Sequence, residues 1–585
     1  MSSNYELTAI SIYYSKPTLN LNLNLLLHPC LPPKPPNYIL RDVSFSAKPG
    51  EVLAIVGPSG AGKSTVLDIL AARLAPTHGH LLLNSAPLHP SSYRKQSSHV
   101  PQLDAFLPQL TVSETFAFAA SLLLPSSSEP SASAAVSGLL SDLRLSHVAH
   151  TRLSGGLSGG ERRRVSIGLS LLRNPGVLLL DEPTSGLDSS SAHIVLQTLR
   201  SVAAKNKTTI IISIHQPSSR LLSAIDSLLL LSKGSVLHHG SLSSLDAFLL
   251  THGFSVPSHL NPLEYAMEVL HHLPAPKPTS PPPPPPPPQT KEEKMQEISL
   301  KPDEYSSRVN ELVTLYRRSW KIVYRTKQLL LTNFLESLIV GFLLGTIYIK
   351  AGYGDAGVQK RFGLFAFSLT FLLSSTTETL PIFVLERPIL LREASSGLYR
   401  LSSHVAAATL VFLPYLLAVA IIYSASVYFL VGLCSSPAAF ASFVLIVWLV
   451  VLTANSFVLL ISSFTPDYIA GTSLVTVFLA GFFLFSGYFL TKESMPTYWV
   501  FMHYLSPYKY ALDALLANEY GCAKERCFGW GEGEECEVKG KDVLERKGLR
   551  EGDKWMGLQV LFGFFVLYRV LYWVVLTRRA SRSKK

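Results

Sequence analysis

The sequence predicts an α/β domain followed by an all-α domain of six membrane-spanning helices. Only 16% of the 585 residues are charged while 48% are hydrophobic, and the apolar residues gather after residue 328. Before that point, short apolar runs at Val52–Val56, Val177–Leu180 and Thr209–Ile214 alternate with helical stretches. This alternation is the pattern of a parallel sheet wrapped by helices.

Six apolar runs predict the membrane-spanning helices, because about 20 apolar residues are needed to cross a hydrocarbon core of roughly 30 Å. One such run could be a buried core helix, but six in series with charged joints favour a membrane domain. The predicted spans cover residues 329–349, 362–385, 405–431, 439–462, 469–490 and 556–576. They place a transmembrane domain at residues 329–577, with an external loop at residues 491–555.

Basic residues border the membrane domain and account for much of the net charge of +11. Such residues favour the cytosolic side of a membrane, and six spans return the chain to the side on which it began. We therefore expect cytosolic termini and no nucleic-acid partner. We also expect no signal peptide, because Lys16 and the stretch CLPPKPP interrupt the apolar N-terminus. The flanking residues are Arg317, Arg318, Lys321, Arg325, Lys327, Arg578, Arg579, Arg582, Lys584 and Lys585.

Composition also divides the chain into segments. Residues 1–271 are predicted to form the cytosolic α/β domain, with an insertion or loop at residues 15–37. Residues 272–307 read as a proline-rich linker, whose eight consecutive prolines at 281–288 favour a stiff polyproline spacer over a ligand for a proline-binding module. Residues 308–328 predict an amphipathic helix lying on the membrane surface, and residues 578–585 a basic cytosolic tail.

The five cysteines do not suggest a metal site, because no CxxC pair is present. Cys522, Cys527 and Cys536 share the predicted external loop, whereas Cys30 and Cys434 lie elsewhere. If that loop faces an oxidising compartment, we expect a disulfide among its three cysteines, in a pairing left open, and none elsewhere.

The strongest local signal is GPSGAGKST, which follows the apolar run Val52–Val56 and precedes a predicted helix. Its order and spacing match the P-loop pattern G-x-x-x-x-G-K-[ST]. Backbone N–H groups of such a loop curl around phosphates, Lys63 reaches the β- and γ-phosphates, and Ser64 can hold Mg²⁺. The first domain is therefore predicted to be an α/β P-loop nucleotide-binding domain. The predicted binding residues are Gly57, Pro58, Ser59, Gly60, Ala61, Gly62, Lys63, Ser64 and Thr65.

A second signal is VLLLDEPTSGLD, in which the apolar strand Val177–Leu180 delivers two carboxylates to its polar end. We expect Asp181 to contact the Mg²⁺ shell. Glu182 is placed to act as the general base that polarises a water for attack on the γ-phosphate. A DE pair alone is common at strand ends, but a P-loop upstream favours the catalytic interpretation.

The stretch RLSGGLSGGERRR repeats a Ser-Gly-Gly turn before a basic helix. Free backbone N–H groups and a serine hydroxyl at a helix N-terminus can grip a γ-phosphate from its far side. One chain folded alone does not normally bring that turn to its own P-loop.

Together these motifs resemble those of ATP-binding cassette transporters, over nearly the whole chain. The second copy matches the family's LSGGE signature, and Ser158 lies 23 residues before Asp181, the spacing typical of the family. Ser154, in the first copy, is four residues too far. The resemblance therefore assigns ATP contact to Ser158, Gly159 and Gly160.

Other positions match the family residue by residue. Gln102 is similar to the Q-loop glutamine that touches the metal, so the implied Mg²⁺ ligands are Ser64, Gln102 and Asp181. Asp188 ends the D-loop SGLD, and His215 resembles the switch histidine that senses the γ-phosphate. The family also stacks an aromatic ring on adenine, for which three candidates remain open: Tyr13, Tyr14 and Tyr38.

Domain order and the phrases NPLEY, ERPILLREASSGLY and ALLANEYGC resemble the G subfamily, or white-brown complex group, and its plant members in particular. Members of this subfamily are half-size exporters, so the resemblance implies a homodimer or heterodimer, ATP and Mg²⁺ as cofactors, and a multi-pass protein of the plasma membrane.

The resemblance implies ATP-driven export of a hydrophobic or amphipathic molecule such as a lipid, sterol, terpenoid, wax or hormone. It also implies that membrane lipid surrounds the protein. Spans two and five, which line the subfamily's cavity, are nearly uncharged and rich in phenylalanine. These phenylalanines could equally contact lipid or pack helices. Glu378 is a better candidate for a functional residue, because placing a carboxylate at membrane depth costs free energy, although Glu378 could instead mark the cytosolic interface. The alternative is a membrane-tethered ATPase that gates or scaffolds a partner without transport.

Overall fold

The computed structural model divides into two compact units, one up to residue 306 and the other from Ser307 to Ser583. It describes residues 4–16, 37–123, 129–215, 217–257, 260–271, 307–349, 351–352, 354–490, 492–530 and 536–584. The predicted insertion at 15–37 and linker at 272–307 lie almost wholly outside the described residues, as do Cys30 and the prolines at 281–288, so these assignments stay predictions.

The first unit contains ten strands and nine helices among its described residues. The strands are β1 (Leu7–Ser15), β2 (Tyr38–Ala47), β3 (Val52–Val56), β4 (His78–Leu83), β5 (Ala86–Pro87), β6 (Ser97–Val100), β7 (Val177–Leu180), β8 (Thr209–Ile214), β9 (Ser227–Ser232) and β10 (Ser235–Gly240). The helices are α1 (Lys63–Leu70), α2 (Pro90–Gln96), α3 (Val112–Leu123), α4 (Glu129–Asp142), α5 (Gly159–Leu171), α6 (Ser189–Asn206), α7 (Ser219–Leu222), α8 (Leu242–Thr251) and α9 (Pro262–Glu268).

A six-stranded sheet forms the core of the first unit, in the order β10-β9-β3-β8-β7-β6. Its central strands β3, β7 and β8 are buried at every residue, as expected for parallel strands covered by helices on both faces. Only β10 runs antiparallel to its neighbour. A second, antiparallel sheet has the order β2-β1-β4-β5.

Among its described residues, the second unit is helical apart from a short hairpin and connecting turns. Its helices are α10 (Arg308–Arg325), α11 (Lys327–Ile347), α12 (Asp355–Ser375), α13 (Leu380–Ser395), α14 (Leu401–Val431), α15 (Pro437–Phe464), α16 (Tyr468–Leu484), α17 (Val500–Leu505), α18 (Pro507–Cys522), α19 (Gly540–Arg546) and α20 (Asp553–Lys584). The hairpin pairs β11 (Cys527–Trp530) with β12 (Cys536–Lys539). A helical unit after an α/β unit confirms the predicted fold class.

The number of long spans differs from the prediction of six. Among the described residues, five helical runs are long and apolar enough to cross a membrane: Leu329–Ile347, Ala356–Ser395, Leu401–Val431, Pro437–Phe464 and Asp553–Ser581. The run predicted at 469–490 forms the shorter helix α16, because the chain leaves helical geometry at Phe485 and adopts a positive φ of 92° at Gly487. At 1.5 Å per residue, α16 is about 26 Å long.

Two other boundaries also differ from the prediction. The run predicted to end at residue 385 continues through a 3₁₀ turn, Thr376–Thr379, and then through α13, so most of the ERPILLREASSGLY segment is helical. The predicted basic tail is the last part of α20 rather than a separate segment. In both cases the polar residues extend a helix beyond its apolar stretch, which a hydropathy pattern alone does not reveal.

The predicted amphipathic helix is α10, and it has two contrasting faces. Glu311 and Arg318 are buried, where Arg318 Nη1 lies 3.0 Å from Glu393 Oε2. Val309, Val313, Trp320 and Tyr324 instead lie exposed along the helix, at the helical spacing of one stripe.

The predicted external loop is largely folded. Helix α18 is mostly buried, and its Glu519 pairs with Arg361 of α12 at 3.2 Å, the two side chains being 4% and 1% exposed. Glu519 also accepts a hydrogen bond from the backbone N–H of Cys434 at 3.0 Å. Removing one partner of a buried ion pair costs about 3–5 kcal/mol, so this pair fixes α18 against the start of α12.

Two disulfides join this region, Cys434–Cys522 and Cys527–Cys536, with Cα–Cα separations of 6.3 and 5.6 Å. The expectation that no disulfide involves a cysteine outside the loop is therefore wrong for Cys434. This residue follows α14 and meets the end of α18, a contact that sequence separation conceals.

Mass spectrometry of non-reduced protein tests this pairing. We expect peptides that link Cys434 to Cys522 and Cys527 to Cys536. In a Cys434→Ser variant, Cys522 should become accessible to alkylation while the hairpin bridge persists. Alkylation of Cys434 in the native, non-reduced protein would contradict the assignment.

Candidate functional site

The GPSGAGKST loop connects β3 to α1 in a tight, glycine-dependent turn. A Cβ on Gly57 would come within 2.2 Å of the Leu231 carbonyl oxygen, and Gly62 caps α1 with a φ of 101°. Lys63 Nζ donates to the carbonyls of Gly57 at 2.7 Å and Pro58 at 3.1 Å. The loop thus presents the N-terminus of α1, a favourable place for an anion.

The charge of Lys63 is balanced by two carboxylates. Burial lowers the pKa of Lys63, while the negative charges of Glu182 and Asp181 act in the opposite direction. The ammonium group therefore lies within the electrostatic influence of both carboxylates at the end of β7.

Both residues of the DE pair are held by a buried hydroxyl on the neighbouring strand, Asp181 through its carboxylate and Glu182 through its backbone N–H. Ser213 Oγ donates to Asp181 Oδ1 at 2.6 Å and accepts the backbone N–H of Glu182 at 2.8 Å. Ser64 Oγ donates to the same Asp181 oxygen at 3.3 Å. Glu182 has a φ of 44°, a left-handed conformation that is unfavourable for a side chain other than glycine.

Sequence reasoning missed Ser213. It is the one polar residue between Ile210 and Ile214, all of them buried in β8. A lone hydroxyl two residues before His215 was the available signal.

Gln102 and His215 complete this group. Gln102 Nε2 donates to Glu182 Oε2 at 2.8 Å, and His215 Nε2 is hydrogen-bonded to Ser59 Oγ at 2.7 Å. The structure therefore brings the P-loop, the Q-loop glutamine, the DE pair and the histidine to one edge of the sheet.

The second SGG turn opens α5. Ser158 is the N-cap, and it exchanges hydrogen bonds with Glu161 in a capping box. Although burial acts in the opposite direction, hydrogen bonds from Ser158 and His147 hold the pKa of Glu161 below its usual value. Ser158 and Gly159 are exposed, so the N-terminus of this helix lies at the surface of the first unit. Ser154, in the first copy, lies before the helix and donates its N–H to the Pro108 carbonyl.

Asp188 lies beside this helix. It caps α6 by accepting the backbone N–H of Ser191 at 3.0 Å, and hydrogen bonds from Ser191 lower its pKa. A Cβ on Gly160 would come within 2.8 Å of Ser191 Cβ, so α5 and α6 approach closely there. A second group of candidate site residues therefore lies at the starts of α5 and α6: Ser158, Gly159, Gly160 and Asp188.

A groove of about 360 Å³ separates the Q-loop from the start of α5. Gln102, Asp104 and Phe106 line one side, and Gly159 and Arg163 line the other.

The donor set suits Mg²⁺ bound together with phosphate. Ser64, Asp181 and Gln102 offer hydroxyl, carboxylate and carboxamide oxygens, and Mg²⁺ usually takes only one or two carboxylates beside substrate phosphates and water. Among the described residues, no group of three or more His, Cys, Asp or Glu could hold a metal without such help.

The adenine-stacking candidates differ in burial. Tyr13 is 3% exposed and packs edge-on against Tyr38 at 5.8 Å, whereas Tyr14 and Tyr38 are half-buried. Stacking on adenine is therefore easier for Tyr14 or Tyr38.

A P-loop, an acidic strand end and an outward SGG helix, on one chain with a bundle of apolar helices, define an ATP-binding cassette transporter. Family comparisons agree. A model described as ABC transporter matches residues 40–185, one described as ABC-2 type transporter matches residues 310–520, and a second ABC-2 type transporter model matches residues 215–281.

Three relatives from Arabidopsis thaliana extend the match over nearly the full chain. The chain is 59% identical to ABC transporter G family member 8, covering 99% of this chain and 98% of that protein, and 59% identical to member 4, covering 99% and 100%. It is 43% identical to member 23, covering 93% and 89%. The chain belongs to the ABC transporter G family and is a half-size transporter of plant type. It is a multi-pass membrane protein that binds ATP and drives export across a membrane.

Replacing the candidate base tests the site. Glu182→Gln should lower ATP turnover by at least about 100-fold, since a positioned general base contributes roughly 10²–10⁴-fold, while ATP binding persists. Hydrolysis of labelled ATP and nucleotide photolabelling measure the two effects. Glu264→Gln, the same change at an exposed residue of α9, is the control. Unchanged turnover in Glu182→Gln would contradict the assignment.

Proposed function

We propose that the chain works as a dimer, with another copy or another half-transporter, in which each ATP lies between the P-loop of one subunit and the SGG turn of the other. The observation that carries this proposal is the outward N-terminus of α5. Ser158 and Gly159 are exposed, and the positive end of a helix dipole favours a phosphate. The phosphate would be that of an ATP molecule bound at the P-loop of a second subunit.

The P-loop group supports a hydrolytic role for each residue. The N-terminus of α1 and Lys63 bind the phosphates, and Glu182 accepts a proton from the attacking water. His215 lies within hydrogen-bonding distance of P-loop Ser59, a position from which it can sense the γ-phosphate.

Mg²⁺, when bound by Ser64, Asp181 and Gln102, would neutralise phosphate charge. Gln102 and Glu182 are hydrogen-bonded to each other. Because that bond uses Gln102 Nε2, the carboxamide oxygen is the atom that would bind the metal, and one side chain would orient the Glu182 carboxylate while holding Mg²⁺.

A hydrophobic or amphipathic substrate, such as a lipid, sterol, terpenoid, wax or hormone, fits the surface of the membrane helices. Phe367 of α12 is 56% exposed and Phe478 of α16 is 40% exposed. Glu378 is also exposed, in the 3₁₀ turn between α12 and α13, where it could bind the polar end of an amphipathic molecule.

We further propose that the termini lie in the cytosol and that the protein resides in the plasma membrane. The orientation is supported by α15, whose two ends differ. Near its start, Cys434 is in a disulfide, which favours an oxidising compartment. Near its end, Arg387 donates to the Ser462 carbonyl and Arg579 to the Phe464 carbonyl, and arginines favour the cytosolic side.

Uptake into inside-out vesicles tests the transport proposal. Radiolabelled lipophilic compounds from each class above would be offered with ATP, and with Glu182→Gln protein as the control. We expect ATP-dependent accumulation of at least one class, abolished in the variant. ATP hydrolysis without accumulation of any class would favour the gating or scaffolding alternative.

The two SGG copies give a matched pair of variants. Ser158→Arg should reduce uptake to background because it removes the N-cap hydroxyl of α5 and fills the space in which a phosphate is expected to lie. Ser154→Arg should retain uptake, since Ser154 lies before the helix. The opposite result would overturn the choice of the second copy.

A further inference from the structure

Arg163 of α5 connects three segments of the first unit. Its side chain is 4% exposed. Nη1 donates to the carbonyls of Pro101 at 2.7 Å and Gln102 at 3.1 Å and to Asp104 Oδ1 at 3.0 Å, while Nη2 donates to the Asp181 carbonyl at 2.7 Å. The Arg163 guanidinium thus joins α5 to the Q-loop and to the end of β7.

Arginine is suited to this position for geometric reasons. Its planar group presents several N–H donors in a fixed fork, whereas a lysine ammonium is a compact point charge on a flexible stem. A buried charge is tolerated when it is paired and hydrogen-bonded, and here one carboxylate and three carbonyls accept from the two terminal nitrogens. Lysine would keep the charge but could not bridge the same four oxygens.

The same helix also carries Ser158 at its N-terminus. Ser158 and Arg163 are about 7–8 Å apart along the helix axis, at 1.5 Å per residue. In the proposed dimer, on which this inference rests, Ser158 meets the nucleotide bound by the other subunit. Arg163 instead holds Gln102 and Asp181, which serve the nucleotide of its own subunit.

We propose that Arg163 is a positioning residue that couples the two ATP sites of a dimer formed with a second copy of this chain. It touches neither nucleotide. When ATP binds at one site and displaces α5, the Arg163 guanidinium displaces the Q-loop and the DE pair at the other ATP site. Gln102 in turn bonds Glu182 at 2.8 Å, so the shift reaches the base. Each copy carries its own Arg163, so in a dimer of two copies the same contact acts from either ATP site towards the other.

Mixed dimers separate coupling from a local effect. Two copies with different affinity tags are co-expressed and purified through both tags. One copy carries Glu182→Gln, so the single working site uses the P-loop of the other copy and the SGG turn of the Glu182→Gln copy. Arg163→Lys is then placed either in the copy with the working base, in cis, or in the Glu182→Gln copy, in trans.

We expect ATP turnover to fall by about fivefold or more in both arrangements, the lower end of typical coupling between sites. Photolabelling by an ATP analogue should stay within about twofold, because Arg163 does not contact nucleotide. Arg162→Lys, the same change at the exposed neighbour on α5, should leave turnover within about twofold in either copy.

Loss in cis alone would overturn the coupling and leave Arg163 a local role, and no loss in either arrangement would overturn both. Should Arg163→Lys prevent folding, Asp104→Asn weakens one contact of the same guanidinium and should give a smaller loss in cis and in trans. Failure to recover any two-tag complex would instead contradict the homodimer itself.

Discussion

Parallel pairing of β3, β8 and β7 is the constraint on which the ATP site depends. In register, Val56 lies beside Ile214, and Leu180 lies beside Ile212. Since parallel strands end at one edge, the P-loop, the DE pair and His215 emerge together. Ser213 then holds the DE pair in place at this edge, because its hydroxyl is hydrogen-bonded to both the Asp181 carboxylate and the backbone N–H of Glu182.

Helix α5 is the second element on which the account depends, because it faces two ways. Its capped N-terminus is exposed, whereas Arg163 and Arg164 further along are buried. A helix is stiff over so short a distance, so a force on its N-terminus reaches the Q-loop through the Arg163 guanidinium. This arrangement gives a physical route between nucleotide contact on one subunit and the base of another.

Local motifs allow candidate site residues to be chosen because the chemistry requires fixed residue types at fixed spacing. Lys63, Glu182 and the second SGG copy could all be chosen from the sequence, the last by its distance to Asp181. Ser213 and Arg163 could not, since their roles come from neighbours far away in the chain: Arg163 contacts residues about 60 positions before it.

In the membrane unit, hydropathy predicted the apolar runs but not their ends. Helix α16 ends at Leu484, before the end of its apolar run, and polar residues continue α13 and α20 beyond their apolar stretches. The segment at 491–555 was expected to be a loop because it is hydrophilic. Within it, however, α18 is mostly buried, and it is held by the ion pair with Arg361 and by the Cys434–Cys522 disulfide. Pairings between distant residues of this kind leave no periodic signal.

The central claim is that the SGG turn of one subunit completes the ATP site of another. Engineered disulfide crosslinking measures this directly: Ser59→Cys in one tagged copy and Ser158→Cys in the other, each with Glu182→Gln to hold ATP. We expect an ATP-dependent crosslinked dimer that is absent when Ser154→Cys replaces Ser158→Cys. Crosslinking from position 154 but not from 158, or none at either position with ATP bound, would contradict the account.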